Sequence, residues 1–426
     1  MLFIFGILLV LKYSGFFISA AEFFAGIFGV KPHFKTFKFL LPLGISYYTL
    51  QAAGYIIDVY RGKYRATDNF FKLALFLSFF PQIVEGPIGR YDLLAEPLYS
   101  GHSFDYDRFT KGLQLMAWGL FKKMVIADRA NIFVSEVFGD YQKYSGSIIL
   151  LGGVLYTLQI YAEFSGCMDI VTGSAELFGV PLSQNFSRPF FSKSVAEFWR
   201  RWHITLGAWL RDYVFYSVSL SKPFMKLSRF AKEHLNEFLG SLIPASFAMF
   251  FTWFGIGFWH GAGVKYIIYG LYYYAVMMLG MYLEPLFARA FNAAHINRNS
   301  KPLNALRILR TLILVVCGMT LFRAETVGIW LGMIKRVFTG FGGGTFLNDA
   351  LLCGMDKQDF LIVILGAAVM LVISTLQEKG INVRDTLAKQ VLPVRWTVYI
   401  CLVLSVIIFG AYGIGYDAVD FIYGQF

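Results

Sequence analysis

The chain has 426 residues, of which 57% are hydrophobic, 18% are aromatic and only 15% are charged. A soluble domain usually carries about 25% charged residues, so this composition excludes an ordinary soluble protein and predicts an all-α, polytopic membrane protein. The formal net charge of +11 comes from basic residues between apolar runs, which the positive-inside rule explains without any nucleic-acid partner.

About ten or eleven membrane segments are predicted, because a spanning helix needs roughly 20 mostly apolar residues. The first lacks the basic start and the small-residue cleavage site of a signal peptide. Residues 170–182 are too few to span alone and are predicted to be re-entrant. The other segments, in chain order, are 2–30, 37–59, 70–84, 109–126, 145–162, 238–263, 264–283, 306–322, 360–377 and 396–416.

Basic residues flank the pair of segments at 238–263 and 264–283. The positive-inside rule therefore predicts a hairpin with both flanks in the cytoplasm and its turn, at residues 261–265, toward the outside. His260 is expected deep in the membrane or nearer its outer face. The flanking basic residues are Lys222, Lys226, Arg229, Lys232, Arg289, Arg298, Lys301, Arg307 and Arg310.

Residues 188–216 mix charges with aromatic side chains. Phe198, Trp202, Trp209 and Tyr213 recur roughly at helical spacing, while the charged residues occupy other faces. This pattern predicts an amphipathic helix that lies at the interface or lines a polar cavity.

Two stretches interrupt apolar runs with ionisable residues. Residues 81–90 combine two prolines and two glycines with Glu85 and Arg90, which is typical of a helix-end loop or of a bent segment beside a tunnel. Glu163 and Asp169 lie around a Ser-Gly sequence that predicts a helix break. These carboxylates suit either acid–base chemistry or pairing with Arg200 or Arg201.

His203 and His260 each follow a tryptophan in apolar surroundings. Ionisable side chains at membrane depth are costly and usually functional, and a histidine moves protons readily near neutral pH. No spacing of histidines predicts a metal site, and the four scattered cysteines predict neither zinc nor disulfides.

The segments Phe198-Trp-Arg-Arg-Trp-His203 and Phe258-Trp-His-Gly261 resemble the membrane-bound O-acyltransferase (MBOAT) superfamily. The resemblance is to its bacterial branch of alginate O-acetyltransferase membrane proteins and D-alanyl teichoic-acid transfer proteins. Weaker glycine- and proline-rich matches run in family order through a core at about 31–273, with C-terminal helices at 305–420. The whole chain is predicted to be one integral-membrane domain.

The resemblance implies a helix bundle around a central tunnel, with His260 as the catalytic base and His203 as the second active-site residue. It implies a cytoplasmic acyl donor, such as acetyl-CoA or an acyl carrier protein thioester, and no tightly bound cofactor. His203 or a nearby group is expected to donate a hydrogen bond to the developing oxyanion. Side chains expected to line or support the tunnel are Trp259, Trp202, Trp199, Arg200, Arg201, Asn185, Glu85, Arg90, Glu163 and Asp169.

The expected function is therefore transfer of an acetyl group across the cytoplasmic membrane toward an exported polysaccharide, directly or through an extracytoplasmic acetyltransferase. The alternatives are D-alanyl transfer to teichoic acid, a transporter or flippase with a histidine proton relay, and a structural anchoring subunit. Two departures from the family pattern are also expected to matter. The chain starts at what resembles a later family segment, and Val214–Pro223 replaces a common Ile-Pro-Leu-Gly-Gly sequence, which weakens the case for alginate as acceptor.

Overall fold

The computed structural model describes residues 2–30, 42–261, 263–342 and 346–412. Helices dominate this part of the chain, which confirms the predicted all-α class; its one extended pairing is an isolated antiparallel bridge between Phe186 and Trp202. The helices are α1 Leu2–Ile27, α2 Ile45–Tyr60, α3 Phe70–Ser78, α4 Tyr91–Tyr99, α5 Tyr106–Leu120, α6 Asp128–Gly139, α7 Gly146–Leu177, α8 Val195–Arg201, α9 Ile204–Leu210, α10 Tyr216–Ser219, α11 Lys222–His234, α12 Glu237–His260, α13 Val264–Ala293, α14 Lys301–Arg323, α15 Val327–Thr339, α16 Phe346–Leu351, α17 Lys357–Glu378, α18 Val383–Ala388 and α19 Leu392–Phe409.

Seven of the described helices are long and apolar enough to cross a membrane, namely α1, α7, α12, α13, α14, α17 and α19. They confirm a polytopic membrane protein, although they are fewer than the ten or eleven segments predicted. The segment predicted at 70–84 is wrong as a span, because α3 ends at Ser78 and turns follow. The segment at 109–126 lies within a helical stretch that continues from α5 through π-helical Phe121–Ala127 into α6.

The re-entrant piece predicted at 170–182 is also wrong, because α7 runs unbroken for 32 residues to Leu177. The break expected at Ser165 and Gly166 is absent for the same reason. Gly166 instead lets α7 approach the neighbouring helix closely: a Cβ there would lie 2.8 Å from the carbonyl oxygen of Gly119. Small residues at helix contacts are common in membranes, because they allow backbones to meet.

The amphipathic helix predicted over 188–216 is broken into several short pieces. A 3₁₀ turn at Pro189–Phe191 precedes α8, and α9 continues into π-helical Arg211–Phe215. The break between α8 and α9 falls at His203, whose backbone φ of 47° is left-handed. The aromatic positions that suggested one amphipathic face are nevertheless all buried: Phe198, Trp202, Trp209 and Tyr213.

The hairpin predicted from the basic flanks is present as α12 and α13, which are separated by residues 261–263. The two helices meet closely at glycines, since a Cβ on Gly270 would lie 2.2 Å from the Trp253 carbonyl oxygen. Several predicted pieces fall outside the described residues. These are the first part of the motif-bearing core at 31–41, Ala262 beside the second histidine motif, and the C-terminal residues from 413 onward.

Candidate active site

The two histidines singled out by the sequence both pack against one indole ring. The ring centroid of Trp259 is 5.7 Å from that of His203 and 4.9 Å from that of His260. Both imidazoles are buried, with 3% and 4% of their residue surface exposed. Residues 57 positions apart in the sequence are thus brought together in the core.

Both histidines stand at helix ends. His260 is the last residue of α12, and His203 immediately precedes α9. The left-handed turn at His203 is held by a short backbone ladder: Ile204 N donates to the Asn185 carbonyl at 3.0 Å, and Ser187 N donates to the Arg201 carbonyl at 2.9 Å. A left-handed non-glycine residue costs roughly 1 kcal/mol, so its presence here requires this surrounding support.

Asn185 lies behind His203 and contacts it directly. Its Oδ1 atom is 3.3 Å from His203 Nδ1 and accepts hydrogen bonds from the backbone N and the hydroxyl of Thr205, both at 3.0 Å. The Thr205 hydroxyl in turn accepts from Ile88 N at 3.1 Å. Asn185 therefore connects the histidine turn to the segment at 81–90.

Two side chains that the sequence reasoning missed cap the C-terminal end of α12. The Lys12 ammonium donates to the Trp259 carbonyl at 3.1 Å and to Ser46 Oγ at 3.0 Å, and the Tyr13 hydroxyl donates to the Phe258 carbonyl at 2.9 Å. The last carbonyls of a helix lack partners within it, and a cation there also complements the helix dipole. A lysine in the middle of a largely apolar segment was the available signal.

Aromatic rings surround the histidines on the other sides. Phe164 meets His203 edge-on at 4.8 Å, and Phe322 meets His260 at 5.2 Å. The ring centroid of Trp199, one of the predicted supporting residues, is 6.3 Å from that of Tyr269 and 4.8 Å from that of Tyr273. The site is therefore walled largely by rings, which keep water from the imidazoles.

The other predicted supporting residues lie at varying distances from this centre. The ring centroid of Trp202 is 5.4 Å from that of Phe198. Arg201 pairs with Glu197 and Glu378, while Arg200 is exposed. Arg90 donates to the Tyr213 hydroxyl and pairs with Asp212. Arg201 and Arg90 thus connect neighbouring segments through ion pairs with carboxylates.

The expected pairing of Glu163 and Asp169 with Arg200 or Arg201 is wrong. Lys123 Nζ pairs with Glu163 at 3.1 Å, and Lys122 Nζ pairs with Asp169 at 2.7 Å. Both lysines lie in the π-helical stretch Phe121–Ala127. This stretch passes close to α7 at Gly166, so the two lysines reach the carboxylates on either side of that glycine. Since Lys122 and Lys123 are buried, these pairs hold the helix contact together.

Glu85 is buried in the loop between α3 and α4, with 2% of its surface exposed. Burial raises the pKa of this carboxyl from 4.5 to about 7, although a hydrogen bond with the Cys167 thiol opposes the shift. Glu85 therefore carries a proton for part of the time at neutral pH. Its position beside Cys167 links the loop to the middle of α7.

A cavity of about 630 Å³ opens between α5, α7, α17 and the segment that carries Asn185. Asn185 and Ser165 form part of its inner wall. At its rim, Arg384 pairs with Glu176 and Arg188 pairs with Glu378, both at 2.7 Å. The cavity therefore extends from a charged rim to the residue that contacts His203. Within the described residues, no group of three His, Cys, Asp or Glu side chains is arranged to hold a metal ion.

Several known proteins have sequences similar to this one. The chain is 34% identical to a probable alginate O-acetylase AlgI of Pseudomonas aeruginosa over 356 residues, covering 83% of this chain and 62% of that protein. It is 29% identical to a peptidoglycan O-acetyltransferase of Helicobacter pylori, covering 83% and 66%. It is 28% identical to a teichoic acid D-alanyltransferase of Bacillus subtilis, covering 60% and 62%.

The chain thus spans about three-fifths of the length of the alginate O-acetylase that it matches. A profile of the family described as MBOAT, membrane-bound O-acyltransferase, matches residues 65–316, which include both histidines and the Trp259 indole that they contact. That match covers more than half of the chain and agrees with the resemblance carried by the two histidine motifs. The chain belongs to the membrane-bound O-acyltransferase family.

Proposed function

We propose that this protein transfers an acetyl group from a cytoplasmic thioester, such as acetyl-CoA, toward hydroxyls of an exported polysaccharide. The observation that carries the proposal is the pair of buried histidines that both pack against Trp259. Their surroundings exclude water, which protects a reactive thioester from hydrolysis and strengthens electrostatic interactions. The proteins named as alginate and peptidoglycan O-acetyltransferases support an acetyl group and a polysaccharide acceptor.

In the proposed reaction, His260 takes the proton of the acceptor hydroxyl as its oxygen attacks the thioester carbonyl carbon. The new C–O bond forms, the C–S bond breaks, and the departing thiolate recovers the proton from the His260 imidazolium. Such general-base catalysis typically contributes about 10²–10⁴-fold to a rate. The acceptor is either the polysaccharide itself or an extracytoplasmic acetyltransferase that passes the group on.

The proposed donor route enters through the 630 Å³ cavity, because its wall includes Asn185, which contacts His203. The placement of this rim on the cytoplasmic side rests on the positive-inside rule. Arg310 belongs to the basic flank after α13, which this rule places in the cytoplasm. It donates to the Lys193 carbonyl, and Lys193 lies in the same stretch of chain as Arg188 and Arg201, which pair with Glu378. The proposed location is the cytoplasmic membrane, where a cytoplasmic thioester and an exported acceptor can both reach the protein.

The test measures transfer from radiolabelled acetyl-CoA in membranes that contain equal amounts of each variant. His260→Ala should lower turnover at least 100-fold and His203→Ala should lower it strongly, whereas the exposed His234→Ala should match the wild type. Normal turnover by a well-inserted His260→Ala protein would overturn the mechanism. Donor-independent polymer flux that survives both changes would favour the transporter alternative.

A second candidate is D-alanyl transfer, which the similarity to a teichoic acid D-alanyltransferase favours. Supplying the membranes in parallel with acetyl-CoA and with a D-alanyl-loaded carrier protein separates the two donors. Turnover of only the D-alanyl donor would replace acetyl transfer with this second function.

A further inference from the structure

We propose that Asn185 is a positioning residue that fixes the tautomer of His203, so that its Nδ1 atom carries the hydrogen and its Nε2 atom carries the lone pair. This inference rests on the proposed function and assigns a particular role to one of its two histidines. It is carried by the hydrogen bonds around the Asn185 side chain, which determine which atom of each group donates.

The orientation of the Asn185 amide is determined by a backbone donor. Thr205 N can only donate, and it lies 3.0 Å from Asn185 Oδ1, so this atom must be the carbonyl oxygen. The other amide atom, Nδ2, lies 3.1 Å from the Met168 sulfur, which is a weak acceptor. The reversed amide would set two N–H donors against each other at Thr205 and is therefore excluded.

The orientation of the amide then determines the protonation of the imidazole. A carbonyl oxygen only accepts, so His203 Nδ1, at 3.3 Å, must donate its hydrogen to Asn185. Burial lowers the pKa of His203 to about 3, so the ring is neutral at pH 7 and carries a single hydrogen. That hydrogen is on Nδ1, and Nε2 is left as an acceptor.

This assignment changes the role of His203. A neutral imidazole in this tautomer cannot donate from Nε2 to an oxyanion, so the oxyanion donor expected of His203 must be another group. It can instead accept a hydroxyl proton, which makes His203 a second proton acceptor beside the same indole as His260. The backbone supports the arrangement, because Ile204 N donates to the carbonyl of Asn185 itself.

The experiment compares the donor kinetics of four full-length proteins: wild type, Asn185→Leu, Asn185→Asp and Thr205→Val. Asn185→Leu removes the acceptor and should lower kcat at least tenfold while the donor KM stays within about twofold; for metal-bound histidines, loss of such a hydrogen-bond partner typically costs about 10–100-fold. Asn185→Asp keeps an acceptor oxygen and should remain within about threefold of wild type. Thr205→Val disturbs the same hydrogen-bond cluster without touching His203 Nδ1 and should also stay within about threefold.

A wild-type kcat in Asn185→Leu would overturn the assignment, as would a loss in Thr205→Val as large as that in Asn185→Leu. The second outcome would make Asn185 a brace for the turn. If the leucine variant does not accumulate in membranes, Asn185→Ala makes the same comparison with a smaller side chain. Failure of the wild type to turn over any acyl donor would instead overturn the proposed function, so the two failures are distinguishable.

Discussion

The Lys12 ammonium lies 3.1 Å from the carbonyl oxygen of Trp259, the residue whose indole both histidines contact. A side chain of the first described helix therefore caps the end of α12, where His260 stands. Lys12→Met should lower thermal stability by about 1.5–3 kcal/mol, the usual loss for a hydrogen bond to a charged group, and should lower turnover because the cap positions Trp259 and His260.

The comparison for Lys12→Met is Lys379→Met, which removes an exposed lysine just after α17. Both variants are purified in the same detergent, and their unfolding temperatures and acyl transfer rates are measured side by side. Equal behaviour of the two variants would contradict the capping role.

Gly270→Ala should separate α12 from α13, because the added Cβ would lie 2.2 Å from the Trp253 carbonyl oxygen. Such overpacking typically costs about 1–3 kcal/mol, and turnover should fall with it because α12 carries His260. Gly280→Ala is the matched control in the same helix, since its Cβ meets nothing within 4 Å. Thermal unfolding should show the first variant destabilised and the second unchanged or slightly stabilised; equal unfolding temperatures would refute the close approach.

Glu85→Gln should change how stability depends on pH. The folded protein holds the Glu85 proton up to about pH 7, whereas an exposed carboxyl loses it near 4.5. Its raised pKa means that wild-type stability falls as the pH rises through this window, by up to about 3 kcal/mol. Glu85→Gln removes that dependence, so it should match the wild type at pH 4 and exceed it at pH 8.

Unfolding temperatures measured from pH 4 to pH 8 check this prediction for Glu85. The exposed Glu233→Gln variant serves as the control and should follow the wild type throughout. A constant difference between Glu85→Gln and the wild type over the whole range would show that the buried carboxyl does not titrate there.

Lys122→Met should be destabilising, because it leaves the Asp169 carboxylate, of which only 25% is exposed, without the lysine that lies 2.7 Å away. Breaking a fully buried ion pair from one side typically costs about 3–5 kcal/mol, so a smaller loss is expected for this partly exposed pair, whereas replacing both partners with apolar residues is often neutral. The double variant Lys122→Met/Asp169→Leu should therefore recover most of the folded protein and its turnover. A double variant that folds but stays inactive would instead assign Asp169 to the chemistry.

The sequence was sufficient for the membrane class and the histidine pair, and insufficient for local backbone geometry. Hydropathy predicts most long spans because burial in lipid requires continuous apolar runs. The Ser165-Gly166 sequence predicted a helix break, but Gly166 instead allows a close helix contact with Gly119. Periodicity likewise suggested one helix through His203, because side-chain spacing does not report a single left-handed residue.

The partners of the charged residues around the site were harder still to predict, because ion pairs depend on which helices become neighbours. Glu163 and Asp169 pair with lysines of the adjacent π-helical stretch, 40 and 47 residues earlier in the chain, and not with the nearer arginines. The lysine cap on Trp259 joins residues 247 positions apart. Such contacts follow from the assembled bundle, and no local pattern encodes them.

The cap on α12 also has a consequence for how the protein is handled. Only 11% of the apolar window in α1 is buried against the rest of the described residues. Yet α1 supplies both Lys12 and Tyr13 to the end of α12. Whatever covers the remaining surface of α1 therefore helps to position the end of α12, and we expect a detergent that removes bound lipid to lower the proposed acyl transfer before the bundle unfolds.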